Sequence, residues 1–112
     1  MKRTFVESKV FQEFVDSIGN AEFVSEIQSL ILGNPQDGKV VQGTGGIRKM
    51  RVSDEKRGKG KRGGYRVLYL DLPEREKTYL LYAYTKGEKE DITGDEKKVM
   101  KELVSRIKKE AK

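Results

Sequence analysis

The feature that most constrains this chain is a block of positive charge that runs from Arg48 to Arg66. The block holds nine basic and two acidic residues, a local net charge of +7, whereas the whole 112-residue chain carries +6. A solvated surface normally mixes charges of both signs, and a concentrated field of one sign steers and binds polyanions. The block therefore predicts an anion-binding site, with nucleic acid as the leading ligand; a merely soluble hairpin is the alternative.

The block lies on a predicted β-hairpin with a glycine-rich loop. Residues 53–64 contain no hydrophobic residue, which predicts a long polar loop. Before the loop, apolar and basic residues alternate loosely, which predicts a strand with one apolar and one basic side. The apolar members are Ile47, Met50 and Val52, and the basic members are Arg48, Lys49 and Arg51. After the loop, residues 65–72 and 78–85 predict two strong strands, because both are rich in β-branched and aromatic residues.

The N-terminal part of the chain predicts a strand followed by a helical hairpin. Residues 2–7 alternate as a short strand, and Ser8 is suited to cap a helix that ends near Ile18. Asn20 is predicted to cap a second helix, which Gly33 ends. Both helices carry a single apolar stripe, which is typical of a layer packed on a sheet.

The remaining signals complete a small α+β fold with a curved antiparallel sheet and a C-terminal helix. A short strand is predicted near residues 39–42, and residues 43–46 are interpreted as a tight turn. A phosphate cradle is the less favoured reading of that turn, because no helix N-terminus follows it. Thr93 and Glu96 form a capping-box pattern at the start of the last helix. The predicted order is β-α-α-(β)-β-β-β-α, in a single domain over residues 1–112.

The composition excludes several kinds of chemistry. The chain has no cysteine, which excludes disulfides and a thiol nucleophile and fits a reducing cytosol. It has no histidine, so the usual general base near neutral pH and the commonest metal ligand are both missing. No apolar run approaches membrane-spanning length, and the N-terminal residues lack the apolar core of a signal peptide. We therefore expect a soluble, cytoplasmic protein.

Basic side chains can nevertheless cleave RNA without histidine, metal or cofactor. RNA carries its own nucleophile, the 2′-OH, so the protein must supply a base, positive charge on the phosphate and a proton for the leaving oxygen. Like-charge repulsion inside a cationic cluster lowers the pKa of a lysine, which makes it a usable base. Arginine stays protonated and stabilises the phosphate. DNA lacks the 2′-OH and could not be cut in this way.

Aromatic residues accompany the basic set. They are Tyr65, Tyr69, Tyr79, Tyr82 and Tyr84. Strand alternation predicts that Tyr82 and Tyr84 share one face and that Leu81 and Ala83 share the other. One or two of these tyrosines could stack on bases beside a cationic groove. For any single tyrosine, a half-buried position in the sheet is the favoured reading.

Three strings resemble the RelE/ParE superfamily of bacterial toxins, and in particular its HigB-type, RelE-like branch. They are VQGTGGIRKMRV at 41–52, GKGKRGGYRVLY at 58–69 and YTKGEK at 84–89. The resemblance covers nearly the whole chain. It implies the toxin of a type II toxin–antitoxin pair that cuts mRNA in the ribosomal A site. The implied partners are a cognate antitoxin, the 30S A site with its mRNA and, through the antitoxin, operator DNA.

The resemblance also assigns roles to residues. The family's catalytic lysines correspond to Lys49 and Arg51, for which docking on ribosomal RNA is the alternative role, and its arginine corresponds to Arg66. Thr93, interpreted as a helix cap, stands where the family has a late tyrosine. The predicted catalytic residues are Arg66 and Lys86 for phosphate charge, Lys59 or Lys61 for proton transfer, and Tyr84 as a further acid–base candidate. The predicted RNA- or ribosome-binding residues are Arg48, Lys49, Arg51, Lys56, Arg57, Arg62 and Lys89.

Two other functions stay open at this point. One is a ParE-like gyrase inhibitor, against which the dense basic hairpin argues, because gyrase poisoning does not need a phosphate-cleaving cluster. The other is a non-catalytic RNA- or ribosome-binding module whose charge only positions it on a backbone.

Overall fold

Strands and helices follow one another in the predicted order. The computed structural model describes residues 2–54, 58, 60, 64–89 and 91–110. The elements in these residues are β1 (Thr4–Glu7), α1 (Lys9–Ile18), α2 (Phe23–Gly33), β2 (Lys39–Val40), β3 (Arg48–Val52), β4 (Tyr65–Leu72), β5 (Lys77–Thr85) and α3 (Gly94–Glu110). A 3-10 turn at Pro73–Arg75 joins β4 to β5. None of the helices described is long and apolar enough to cross a membrane.

The strands form one sheet in the order β1-β5-β4-β3-β2. The pairs β2–β3, β3–β4 and β4–β5 are antiparallel, as predicted. The sheet is mixed rather than wholly antiparallel, because β1 pairs with β5 in parallel. A parallel neighbour needs a long crossover, and the chain between β1 and β5 supplies one.

The two N-terminal helices begin in different ways. Ser8 caps α1 as predicted, since its Oγ accepts a hydrogen bond from the backbone N–H of Phe11 at 3.0 Å. Asn20 does not cap α2, which begins at Phe23. Its Oδ1 instead accepts from the N–H of Glu22 at 3.1 Å and closes a turn ahead of the helix. The predicted cap was wrong by two residues, because an Asx turn and an N-cap use the same side chain.

The third helix begins with the predicted capping box. The backbone N–H of Glu96 donates to Thr93 Oγ1 at 3.1 Å, and the N–H of Thr93 donates to Glu96 Oε1 at 2.8 Å. The turn at residues 43–46 is held by Thr44, whose buried hydroxyl donates to the carbonyl of Val41 and accepts from the N–H of Ile47. These contacts support the tight-turn reading and fix the start of β3.

The sheet is covered on both faces. The first apolar core lies between the sheet and α1 with α2, and its members include Phe11, Phe23, Ile27, Ile31, Met50, Val52, Tyr65, Val67, Tyr69, Leu80 and Ala83. The second lies between the sheet and α3, and its members include Ile47, Leu68, Leu70, Leu81, Tyr84, Ile92, Met100, Val104 and Ile107. Because β4 is buried on both faces, its sequence is a nearly continuous apolar run rather than an alternating one.

A β-bulge interrupts β5 at Leu81. Leu68 pairs with Tyr82, whereas the next residue, Tyr69, pairs with Leu80. Leu81 therefore has no partner of its own in β4, and it packs in the second core. The prediction that Leu81 and Ala83 share a face was wrong, because the extra residue shifts the alternation.

Candidate nucleic-acid interface

The sheet face beneath α3 carries two rows of side chains that run across the strands. In the first row Arg51 of β3 pairs with Arg66 of β4, which pairs in turn with Tyr84 of β5. Directly paired residues point to the same face, with Cβ atoms about 4.5–5.5 Å apart. Three of the residues predicted from sequence are thus brought together, although they are far apart in the chain.

The second row lies two residues nearer the start of β3, at Lys49. Lys39 of β2 pairs with Lys49, Lys49 pairs with Leu68, and Leu68 pairs with Tyr82. Lys49 and Arg51 are two residues apart on one strand, so their side chains share a face about 7 Å apart. The two rows together present cations on β2, β3 and β4 and tyrosines on β5.

Arg66 is the buried cation of the first row. Its side chain is almost wholly enclosed, with the residue 5% exposed, and Nη1 donates to the carbonyl of Tyr65 at 3.3 Å. Burial lowers the pKa of the Arg66 guanidinium below its ordinary value, and the positive charge of Arg51 lowers it further. Arginine nevertheless remains protonated at neutral pH. A guanidinium held in a poorly solvated place acts more strongly on a neighbouring phosphate than an exposed one.

Tyr84 supplies a hydroxyl beside this cation. The residue is 3% exposed, and among the described residues its Oη has no hydrogen-bond partner. Burial raises the pKa of the Tyr84 hydroxyl to about 12, and the negative charge of Asp91 contributes to the rise. The group is therefore a proton donor at neutral pH and not a base. A buried donor that lacks a partner is uncommon and is consistent with a site that completes itself on binding a ligand.

The loop before α3 and the first turn of α3 each bring a carboxylate to the same region. Lys49 Nζ lies 3.1 Å from Asp91 Oδ1, in an exposed ion pair. Glu96 forms a hydrogen-bonded ion pair with Lys89, whose Nζ also lies 5.8 Å from the centre of the Tyr82 ring. The ammonium of Lys89 and the backbone N–H of Thr93 lower the pKa of Glu96. These carboxylates partly neutralise the cationic face in the free protein.

A cleft opens at the β2–β3 edge of the same face. Its volume is about 460 Å³, and Asp37, Lys39, Lys49, Met50 and Arg51 line it. Within the described residues, no group of three or more acidic, histidine or cysteine side chains is arranged to hold a metal ion.

Residues 7–112 match the sequence model of the family described as "RelE toxin of RelE / RelB toxin-antitoxin system". The chain belongs to the RelE toxin family. Membership implies an antitoxin partner, and the mixed sheet flanked by helices is consistent with a RelE-like fold.

The glycine-rich basic loop at residues 53–64 lies largely outside the described residues. The predicted site residues that lie outside the described part of the chain are Lys56, Arg57, Lys59, Lys61 and Arg62. Lys86 lies in the exposed turn after β5, and its backbone N–H donates to the carbonyl of Gly64 at 3.3 Å. That hydrogen bond brings the Lys86 backbone next to the start of β4, two residues before Arg66.

Arg48 is not brought to this face. It lies on the opposite side of β3 from Lys49 and Arg51, with Met50 and Val52. Its Nη1 donates to the carbonyl of Gly38 at 2.8 Å, so the guanidinium helps to hold the turn before β2. The predicted division of β3 into an apolar and a basic side was therefore wrong at Arg48, and at Ile47, which packs in the second core.

Sequence reasoning missed two residues of this interface. Lys39 was assigned only to a possible short strand, and its place opposite Lys49 depends on a register that a two-residue strand does not reveal. Asp91 was not among the predicted site residues, although its position just before the capping box was a usable signal. A carboxylate at the start of a helix that packs on a basic sheet is close to the cations of that sheet.

Proposed function

We propose that this RelE-family toxin is a ribosome-dependent mRNA endoribonuclease that cuts in the A site through attack of the 2′-OH. The observation that carries the proposal is the first row, Arg51, Arg66 and Tyr84, in which two guanidiniums and a protonated hydroxyl adjoin on one face. This combination matches the needs of a phosphoryl transfer that uses the substrate's own nucleophile.

In the proposed reaction the 2′-oxygen attacks the adjacent phosphorus and the bond to the 5′-oxygen breaks. The products are a 2′,3′-cyclic phosphate and a free 5′-hydroxyl. Arg66 and Arg51 stabilise the extra negative charge of the pentacoordinate phosphate, and Lys86 adds charge from the turn after β5. No metal or cofactor is needed for these steps.

Two protons must move during the reaction. Tyr84, which burial keeps protonated and whose hydroxyl has no hydrogen-bond partner among the described residues, donates one to the departing 5′-oxygen. The proton of the 2′-OH goes to a lysine of the basic loop, with Lys59 and Lys61 as the candidates. The remaining loop cations, with Lys49 and Lys89, hold the RNA and ribosome by their charge.

The toxin acts in the cytoplasm in this proposal, and its cognate antitoxin suppresses it. The strings shared with the HigB-type branch favour an antitoxin of that branch. Because apolar side chains such as Val10 and Val99 are exposed on α1 and α3, the helices offer surface for such a partner.

The test is primer extension on a reporter mRNA after brief induction of the wild type, Arg66→Ala and Arg106→Ala. Arg106 is an exposed arginine of α3 and controls for the loss of one positive charge. We expect in-frame cuts confined to translated sequence for the wild type and the control, and none for Arg66→Ala.

Growth arrest without cuts would reject the nuclease and favour either gyrase inhibition or blockade of the ribosome without chemistry. A gyrase assay with purified protein separates those two. Unchanged cutting by Arg66→Ala, with normal folding by circular dichroism, would remove Arg66 from the mechanism.

A further inference from the structure

We propose that Lys39, together with Lys49 and Arg51, binds an RNA backbone phosphate that neighbours the scissile one, so that the substrate crosses the sheet from β5 towards β2. The inference takes its ligand from the proposed function. It adds a second phosphate subsite and a direction for the chain, and it brings in a residue outside the basic hairpin.

The cleft at the β2–β3 edge gives this subsite a place. Among the described residues that line it, three are cations on adjacent strands and Asp37 is the single acidic side chain. Lys39 and Lys49 are paired across the strands, and Arg51 follows Lys49 on the same face. The cleft adjoins the first row through Arg51, so an RNA bound at Arg66 can extend into it.

Two like-charged pairs at successive positions on one face of β3 point to an anion. Lys39 is directly opposite Lys49, and Arg51 is directly opposite Arg66. Like charges directly opposite each other destabilise a sheet, whereas an uncharged pair of side chains that pack together would not. Asp91 already offsets part of this charge at Lys49. A phosphate between the members of each pair offsets more of it, and two such pairs two residues apart describe a track rather than a single point.

The ordinary explanation of Lys39 is protection of a sheet edge. Edge strands often carry lysine, because its charge discourages pairing with another sheet, and β2 is a two-residue edge strand. Edge protection does not require that the lysine face another lysine. It also does not account for the position of Lys39 in the same cleft as Lys49 and Arg51. Both observations favour a ligand.

The first measurement is the salt dependence of binding to a single-stranded RNA whose 2′-hydroxyls are methylated, so that it cannot be cut. We compare the wild type with Lys39→Ala and with Lys9→Ala, an exposed lysine on α1, on the other side of the sheet. Loss of one phosphate contact should reduce the slope of log affinity against log salt concentration by about 0.7. Lys39→Ala is expected to show this change and Lys9→Ala is not.

The second measurement replaces single phosphates of the same RNA by neutral methylphosphonates. The wild type should lose affinity at one particular flanking position, and Lys39→Ala should be insensitive there. The effect of the neutral phosphate and the effect of Lys39→Ala then do not add, and this identifies the phosphate that Lys39 contacts. Asp37→Asn is expected to bind the unmodified RNA more tightly, because it removes the opposing charge from the cleft.

The outcomes separate the subsite from the enzyme. If the wild type cuts mRNA while Lys39→Ala and Lys9→Ala behave alike in both binding measurements, the subsite is rejected and the nuclease stands. If the wild type neither cuts mRNA nor binds RNA, the proposed function fails, and the subsite fails with it. A Lys39-dependent slope with a single Lys39-dependent phosphate establishes the subsite.

Discussion

Arg66 and Tyr84 are direct cross-strand partners on β4 and β5, and both side chains are almost completely buried. A cation and a hydroxyl are thus held together where water has little access. The arrangement fits the two tasks that we propose for this pair. Arg66 holds charge, and Tyr84, with its raised pKa, holds a proton.

Tyr84→Phe should remove activity and spare the fold. The change deletes one oxygen that has no hydrogen-bond partner among the described residues and leaves the packed ring in place. Loss of a general acid lowers the rate by about 10²–10⁴, whereas loss of an unpaired buried hydroxyl leaves stability unchanged or slightly higher. Cleavage rates and urea unfolding measure the two effects. The control is Tyr79→Phe, near the start of the same strand. Equal activity in both variants would exclude Tyr84 as the acid.

The raised pKa of Tyr84 predicts a loss of stability in alkali. Its ordinary pKa is 10.0 and its pKa in the fold is about 12. Below pH 10 the hydroxyl is protonated in both the folded and the unfolded chain, so it adds no pH dependence. Between pH 10 and 12 the unfolded chain releases its proton first, and the free energy of unfolding falls. At pH 11 this term amounts to about 1 kcal/mol.

Urea unfolding at pH 9 and pH 11 checks this term. The wild type should lose about 1 kcal/mol more than Tyr84→Phe over that interval. All other tyrosines and lysines titrate in both proteins, so they cancel in the comparison. Identical losses would mean that the Tyr84 hydroxyl is better solvated than its burial indicates.

Asp91→Asn should strengthen RNA binding. Lys49 now pairs with Asp91 at 3.1 Å, and an incoming phosphate must displace that carboxylate. Asparagine keeps an oxygen that can accept from the N–H of Ile92, as Asp91 Oδ1 does, but it loses the charge. Because exposed ion pairs contribute only about 0–1 kcal/mol, stability should change little.

The measurement for Asp91 is RNA affinity at two salt concentrations, with Asp95→Asn as the control. Asp95 is an exposed acid in the first turn of α3, so its change alters net charge equally. A larger gain for Asp91→Asn, with a steeper salt dependence, supports direct competition for Lys49. Equal gains in both variants would mean that the effect comes from net charge alone. Weaker binding would mean that Asp91 positions Lys49 for its ligand.

Gly64→Ala should destabilise the protein, whereas Gly87→Ala should not. A Cβ on Gly64 would lie 2.2 Å from the carbonyl oxygen of Val52, which is backbone and cannot turn aside. A Cβ on Gly87 would meet nothing within 4 Å. Overpacking of this kind typically costs about 1–3 kcal/mol. Chemical unfolding of the two variants gives the comparison, and equal midpoints would show that the end of β3 adjusts to the added methyl group.

The sequence predicted the elements well because each had a local signal. Ser8 and the Thr93–Glu96 pair carry capping patterns, and the strands around the basic loop are strongly β-branched and aromatic. Local signals do not encode pairing. The parallel neighbour of β1 and the position of Lys39 opposite Lys49 both depend on contacts between distant segments, so neither could be predicted.

The site was predicted in part for the same reason. Arg66 and Tyr84 were predicted as candidates through resemblance and chemistry, but their adjacency is a property of register. Arg48 looked equivalent to Lys49 and Arg51 in a run of basic residues. Because strand side chains alternate with a period of two, Arg48 faces the other core, where it binds a backbone carbonyl. Charge counting identifies a basic hairpin and cannot distinguish its two faces.

The bulge at Leu81 reverses which side chains of β5, odd-numbered or even-numbered, face each core. Ahead of it the even-numbered residues face α1 and α2, as Leu80 does, and beyond it the odd-numbered ones do, as Ala83 does. The side chains of Tyr79 and Tyr82 therefore lie on the same face of the sheet, although the two residues are an odd number of positions apart. Evolution can shorten this strand by one residue at position 81 and keep every later side chain on its own face. Deletion of Ala83 instead would move Tyr84 into its place, with its side chain on the other face and away from Arg66, so we expect that variant to lose the proposed activity while its composition is almost unchanged.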